Sequence, residues 1–219
     1  MSMRAGESVA VVHGEAELVA RTGHLMAAAT DVAFAANKLH TWRAARRAGE
    51  AAGVVSPPGD VRLRKIYLPN AVFDPVAARG LVQFCEAHGA SIRITTDEIN
   101  DTMILDRRIA ILGGHPRADR RTYSVITQPE VVEGVASLFD AVWRKATELS
   151  EFDAQIAEIR EIAPQVLDLL SRGVKDEAAA RTLGLGVRTY RRRVAELMAA
   201  LGAESRFQAG VRARELGLV

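Results

Sequence analysis

The sequence predicts two units in series. The first is a mixed α/β domain over residues 1–148, the second an all-α four-helix domain over 158–219, and a polar linker at 149–157, compatible with a helix, joins them. Three observations carry this prediction. Strand patterns of period two alternate with helical patterns as far as residue 148, as expected where helices pack on a sheet. The last stretch, 158–219, holds helical spacing and no strand pattern. Charge is also uneven: residues 158–219 carry 11 Lys/Arg against 8 Asp/Glu, the rest of the chain 18 against 19. The formal net charge is only +2, so the protein is not a polycation as a whole, and its basic charge is local. A local excess of this kind suits a phosphate-binding surface.

Taken in order, residues 1–12 are loose or form a short strand, and 14–30 read as a helix on Ala16, Leu18, Val19, Leu25 and Met26. The apolar run 31–35 reads as a buried strand. Residues 40–52 form a helix that is basic on one side through Arg43, Arg46 and Arg47, and the Pro-Pro-Gly run at 56–60 breaks the chain. Residues 61–68 alternate Val61 and Leu63 with Arg62 and Arg64, a strand pattern. Asp74-Pro75 opens a helix that stops at Gly89, with Asp as N-cap and Pro in the first turn. A strand at 90–95 puts Ile92 and Ile94 on one face. Segments 102–105 and 109–112 make a hairpin around Asp106-Arg107-Arg108, and Gly113-Gly114 ends it. After a polar loop at 117–121 comes a strand at 123–127. Gln128-Pro129 then opens a long helix whose apolar face is Val132, Val135, Leu138, Phe139, Val142 and Trp143.

In the last unit, helices are expected at 159–172, 176–183, 186–201 and 205–216, stopped by Gly173, Gly184 and Gly202. The third is amphipathic. Val187, Tyr190, Val194, Leu197, Met198 and Leu201 share one stripe, while Arg192 points away from it, Arg188 lies near Arg192, and Arg191 and Arg193 flank it. Five arginines and no acid lie between Glu177 and Glu196. Two short helices joined by a glycine-containing turn, the second one basic, make a helix-turn-helix.

This segment resembles the LuxR/GerE-type helix-turn-helix of bacterial transcription regulators. The likeness rests on VLDLLSRG (166–173), DEAAARTLGLGVRTYRRRV (176–194), LMAALG (197–202) and SRFQA (205–209). It departs from the family at Arg193, where His is usual, and at Tyr190, where Val is usual. The resemblance implies a four-helix domain that reads double-stranded DNA as a homodimer, with the fourth helix at the dimer contact. It makes Arg191 and Arg192 the base readers by position and gives Arg188, Thr189 and Arg193 mainly to phosphate. Lys175 and Tyr190 complete the expected contact set, Tyr190 through its hydroxyl.

Residues 61–149 resemble the phospholipase D-like domain of some TrmB-type and actinobacterial LuxR-type regulators, through VRLRKIYLPNAVFDP, GASIRI, MILDRRIAILGG and VVEGVASLFDAVWRKA. Phospholipase D enzymes carry His-x-Lys-x4-Asp, with histidine as nucleophile and lysine on phosphate. With Asp106 in the aspartate position, Ile99 stands where the histidine would be and Asp101 where the lysine would be. Phosphodiester chemistry needs both. The resemblance therefore implies a fold kept without its catalysis: no catalytic residue, no enzyme, and Asp106 as a turn residue of the hairpin.

Other sites are weakly marked. The chain has one cysteine, Cys85, read as a small buried residue, and five scattered histidines without metal-ligand spacing, so no metal and no cofactor are expected. No acidic pair of the phosphoreceiver kind follows a strand in the first third, and no glycine-rich phosphate loop is present. Trp42 and Trp143 read as packing residues. The strand ends 67–70, 95–97 and Asn100 would border a cleft. The sequence carries no signal peptide pattern and no long apolar run, which points to a cytoplasmic protein without membrane contact, and its Ala and Arg richness to a high-GC bacterium. The function expected is a homodimeric, sequence-specific transcription regulator, controlled by a small-molecule effector or a protein partner at the N-terminal domain. The alternatives are a purely protein-binding N-terminal domain and a phosphodiesterase.

Overall fold

The computed structural model describes residues 8–37, 43–51, 53, 61–114 and 121–219. The expected break at 56–60, Trp42, residues 1–7, the side chains of 43–46 and nearly all of the loop at 117–121 lie outside these residues.

Eight strands form one mixed sheet: β1 (Val9–His13), β2 (Asp31–Ala36), β3 (Arg62–Tyr67), β4 (Ser91–Ile94), β5 (Thr102–Leu105), β6 (Ile109–Gly113), β7 (Thr122–Ile126) and β8 (Thr147–Glu148), in spatial order β1-β7-β6-β5-β2-β3-β4-β8. The three adjacent strands β2, β3 and β4 run parallel. Helical crossovers make this possible: α2 (Arg43–Ala51) joins β2 to β3, and α3 (Asn70–Phe73) with α4 (Pro75–His88) joins β3 to β4. The remaining neighbours are antiparallel.

Helices cover both faces. On one face, α5 (Pro129–Lys145) lays Val132, Ala136 and Phe139 onto Ala33, Ala35, Ile66, Ile104, Ala110 and Ile126. Leu138, expected on this buried face, is 70% exposed, because the stripe centred on Val132, Ala136 and Phe139 turns it outward. The same cover buries Arg64, which the alternation of the strand had placed on a polar face. Its guanidinium lies over the Phe139 ring and donates to Asp140 at 2.8 Å. On the other face α1 (Glu15–Ala28), α4 and α6 (Leu149–Arg160) pack against Phe34, Tyr67, Ile92 and Ile94.

Residues 149–157, expected as a linker, belong to α6, which buries Leu149, Phe152, Ile156 and Ile159. Four further helices follow: α7 (Ala163–Ser171), α8 (Asp176–Thr182), α9 (Val187–Ala200) and α10 (Arg206–Glu215). One cluster of buried apolar side chains runs from the sheet through α6 into Val166, Tyr190, Leu197 and Ala209 of these helices. Among the described residues no helix is long and apolar enough to cross a membrane.

The helical end rests on the sheet at the carboxyl ends of β2, β3 and β4. Asn70 Nδ2 donates to the Asn37 and Leu216 carbonyls at 3.4 and 3.2 Å, and Arg212 lies 3.5 Å from Glu98. Gly202 lies so close to Thr96 that a Cβ built on it would stand 2.5 Å from the threonine Cβ.

Candidate nucleic-acid interface

The candidate interface is built from α8, the turn after it, and α9. Asp176 and Glu177 place negative charge in the first turn of α8, where the amide ends favour it, and three consecutive alanines supply helix propensity. Ala179 and Ala180 are buried, which lets α9 approach closely. The helix is stopped at Gly184, with φ +64°. The Leu185 amide donates to the Ala180 carbonyl at 2.8 Å and the Gly184 amide to Arg181 at 3.1 Å, a paired bond pattern that reverses the chain within one residue. α9 begins at Val187, with Gly186 as N-cap.

The apolar stripe of α9 faces inward: Tyr190, Val194, Leu197 and Leu201 are buried, Val187 and Met198 half-buried. Arg188, Arg191 and Arg192 are exposed on the outer side. They are held differently. Arg188 has no ion pair among the described residues. Arg192 Nε lies 3.6 Å from Glu196 Oε1, one turn along the same helix. Arg191 Nε donates to Asp176 Oδ2 at 2.7 Å, and its Nη2 stands 3.5 Å from Glu177 Oε1. Asp176 also receives the Arg206 guanidinium, from the first turn of α10. The hydrogen bonds from Arg206 and Arg191 hold the Asp176 carboxyl down at about 2.

The other expected contact residues are placed as follows. Thr189 is half-buried, and Lys175 is exposed as the N-cap of α8. Arg193 is mostly covered and donates to Glu196 at 2.9 Å and pairs with Glu158 of α6 at 2.7 Å, so a phosphate would compete there with two carboxylates. Tyr190 is fully buried, and its hydroxyl has no partner among the described residues. Burial pushes that hydroxyl above its ordinary pKa. The tyrosine thus fills the bundle beneath the arginines. α10 is capped by Ser205, whose Oγ accepts from the Gln208 amide at 3.1 Å, while Gln208 Oε1 accepts from the Glu204 amide. Its Phe207 is 83% and Val211 41% exposed, four residues apart on one side.

The positions that resemble a phosphodiesterase motif lie at the sheet. Asp106 and Arg107 form the two central residues of the β5–β6 turn, with φ +49° and +51°. The Asp106 carboxylate accepts from the Thr30 amide and hydroxyl and from the Asp31 amide, at 2.8, 3.0 and 2.8 Å. Asp101 is buried, pairs with Arg121, and accepts from the Asn37 amide at 2.8 Å. Ile99 packs among apolar side chains near Phe139. The strand ends expected to border a cleft are instead taken up by the helical end, through Asn70, Thr96 and Glu98. A shallow cleft lies beside β4, lined by Cys85, Arg93, Trp143 and Glu148 among others. Trp143 stacks on Phe139 there, and the Arg93 guanidinium sits 4.8 Å from its ring centre.

No family model matches the chain. A regulatory protein of the bialaphos biosynthetic pathway from Streptomyces hygroscopicus is 34% identical over 144 residues, which are 64% of this chain and 56% of that protein. A pathway regulator is therefore among the relatives of this chain. The match spans little more than half of that regulator's length. Solved structures similar at low identity include the following. TrmBL2, an archaeal chromatin protein with a novel mode of DNA binding, matches with a TM-score of 0.45 and 16% identity over 67% of this chain and 56% of its own. Nuc, a phospholipase D family member from Salmonella typhimurium, matches at 0.44 and 13%, over 64% and 97% of the two chains. NucT from Helicobacter pylori matches at 0.47 and 10%, over 64% and 99%.

Proposed function

We propose that this protein is a transcription regulator of LuxR type, which binds a roughly palindromic DNA site as a homodimer by laying α9 in the major groove. The observation that carries the reading is the division of α9 into a buried stripe and an outer face bearing Arg188, Arg191 and Arg192. An α-helix fits the major groove, and guanidiniums match both phosphates and the guanine edge. The relationship to a pathway regulatory protein supports the same reading. The exposed Phe207 and Val211 of α10 supply an apolar contact for the second copy. Half-sites would then lie about one helical turn, roughly 10 bp, apart.

In this reading the sheet domain does no chemistry and acts as the part that senses a small molecule or a protein partner. Three features favour that over a phosphodiesterase: an alkyl group at Ile99, the Asp101–Arg121 pair, and an Asp106 carboxylate occupied by backbone amides.

The test is binding of the full chain to genomic fragments over a range of salt. Wild type should bind, with the logarithm of affinity falling by about 0.9 per neutralised phosphate against log salt. The Arg188/Arg191/Arg192 triple alanine variant should lose binding. Equal affinity of the two proteins would remove the DNA reading.

A further inference from the structure

We propose that Asp176 is a positioning residue that presents Arg191 to a guanine, which makes Arg191 the base reader and leaves Arg188 and Arg192 to phosphate. The inference rests on the DNA-binding reading above and decides a point that reading leaves open.

The argument starts from how a guanidinium reads a base. Two of its N–H groups must meet O6 and N7 of guanine in one plane, so the fork has to be held in orientation. A free arginine side chain has many rotamers and loses that freedom on contact. Among the three outer arginines, Arg191 alone is gripped by its Nε from a neighbouring helix. The 2.7 Å bond to Asp176 fixes the Nε edge, and the looser 3.5 Å approach of Glu177 to Nη2 is the one a guanine would displace. Asp176 is itself anchored. Its side chain is only 12% exposed, and Arg206 donates to both of its oxygens. The anchor therefore ties α8, α9 and α10 together behind a side chain that is 58% exposed. Arg192 has only the 3.6 Å approach of Glu196 on its own helix, and Arg188 has no ion pair among the described residues. Such arginines adapt to a phosphate, which accepts from many directions, better than to a base edge.

A second consequence separates this role from a purely structural one. Asp176 is a negative charge beside the proposed phosphate surface, so it weakens binding to any DNA while it improves discrimination. Its removal should shift the two quantities in opposite directions.

The experiment is selection from a pool of random double-stranded DNA by the full chain, with affinities for selected and unselected pools measured at several salt concentrations. Wild type should show a guanine preference at one position of each half-site, of roughly 5- to 150-fold, the range for a bidentate contact. Asp176→Asn should lose most of that preference, and its affinity for the unselected pool should rise. Arg191→Lys keeps the charge without the fork and leaves the Asp176–Arg206 contact in place. It should lose preference at the same position, with the salt slope unchanged. Arg206→Met removes the other partner of Asp176; it should lower the thermal midpoint and weaken the preference at the same position, by less than Asp176→Asn does. The proposal is overturned if Arg191→Lys retains the guanine preference, or if Asp176→Asn and Arg191→Lys affect different positions. A wild type that enriches no sequence would overturn the DNA reading itself, and this assignment with it.

Discussion

The Asp106 carboxylate accepts three hydrogen bonds from Thr30 and Asp31, across a separation of some 75 residues in sequence. Burial works against its charge, but the bonds from the Asp31 and Thr30 amides and the Thr30 hydroxyl outweigh it and lower its pKa. The same side chain sits at positive φ, a conformation that Asp tolerates better than most residues. It therefore fastens the hairpin turn to the start of β2. Asp106→Ala should cost about 1–3 kcal/mol, measured by urea unfolding at neutral pH, because two backbone amides lose their acceptor. A lowered carboxyl pKa contributes stability that is complete above the unfolded value of about 3.9 and fades as pH falls through the folded value. The gap between wild type and variant should thus be constant near neutrality and narrow only below the ordinary carboxylate range. At this scale the sequence was partly legible. The departure at Ile99 and Asp101 is visible only through the resemblance to the phospholipase D motif, and Asp106 as a turn residue follows from its flanking strand patterns. The partner of Arg191 was not legible, because Asp176 lies 15 residues away and meets it only through the angle set by the α8–α9 turn. The burial of the Tyr190 hydroxyl was hidden for a related reason. A helical wheel shows which side faces inward, and the depth of the bundle beneath it depends on neighbours in other helices.

Helix stops in the C-terminal part show what an element owes to its surroundings. Gly184 and Gly202 both adopt positive φ, +64° and +65°, and both close a helix with the same pair of backbone bonds. A Cβ at Gly184 would meet nothing within 4 Å, whereas one at Gly202 would strike Thr96. Gly184→Ala should therefore cost only the backbone conformation, about 1 kcal/mol, and Gly202→Ala should cost more, about 2–4 kcal/mol. Thermal or urea midpoints of the two variants measure the difference, and equal losses would mean that the Thr96 contact contributes nothing. The glycine stops themselves were readable, since a glycine after an apolar helical run is a strong signal. So were the central strands, the hairpin and α4 with its Asp74 cap. Three elements were not. β8 is two residues long and exists only because Arg93 and Ile94 of β4 offer it an edge. α3 is a single turn between strand and helix, too short for a period. α6 begins in the span 149–157, where a helix is compatible with the sequence but the polar composition, read as a linker, hides an inward row of Leu149, Phe152 and Ile156. That row becomes evident once α4, β4 and α9 are in place to receive it.

At the scale of the whole molecule, α6 is the seam. Its Phe152, Ile156 and Ile159 belong to one continuous cluster that reaches from Phe34 in the sheet to Leu197 in α9. The two halves should then unfold together. Phe152→Ala should destabilise the chain by about 3–5 kcal/mol. Calorimetry of wild type should give a single transition, and in the variant the near-ultraviolet signal of the sheet's tyrosines should fall at the same midpoint as the helical signal. Two separated transitions would show that the cluster does not couple the halves. The seating of Gly202 on Thr96, together with the bond from Asn70 to the Leu216 carbonyl, has a geometric consequence of its own. The helix is 14 residues long, so its arginine-bearing end lies about 21 Å from that seat. That end is held as well, by Arg193 on Glu158 of α6 and by Arg191 on Asp176 of α8. A shift of the sheet therefore reaches the positive charge by two routes, directly through a threonine at the end of a β-strand and indirectly through the helix that seams the halves together.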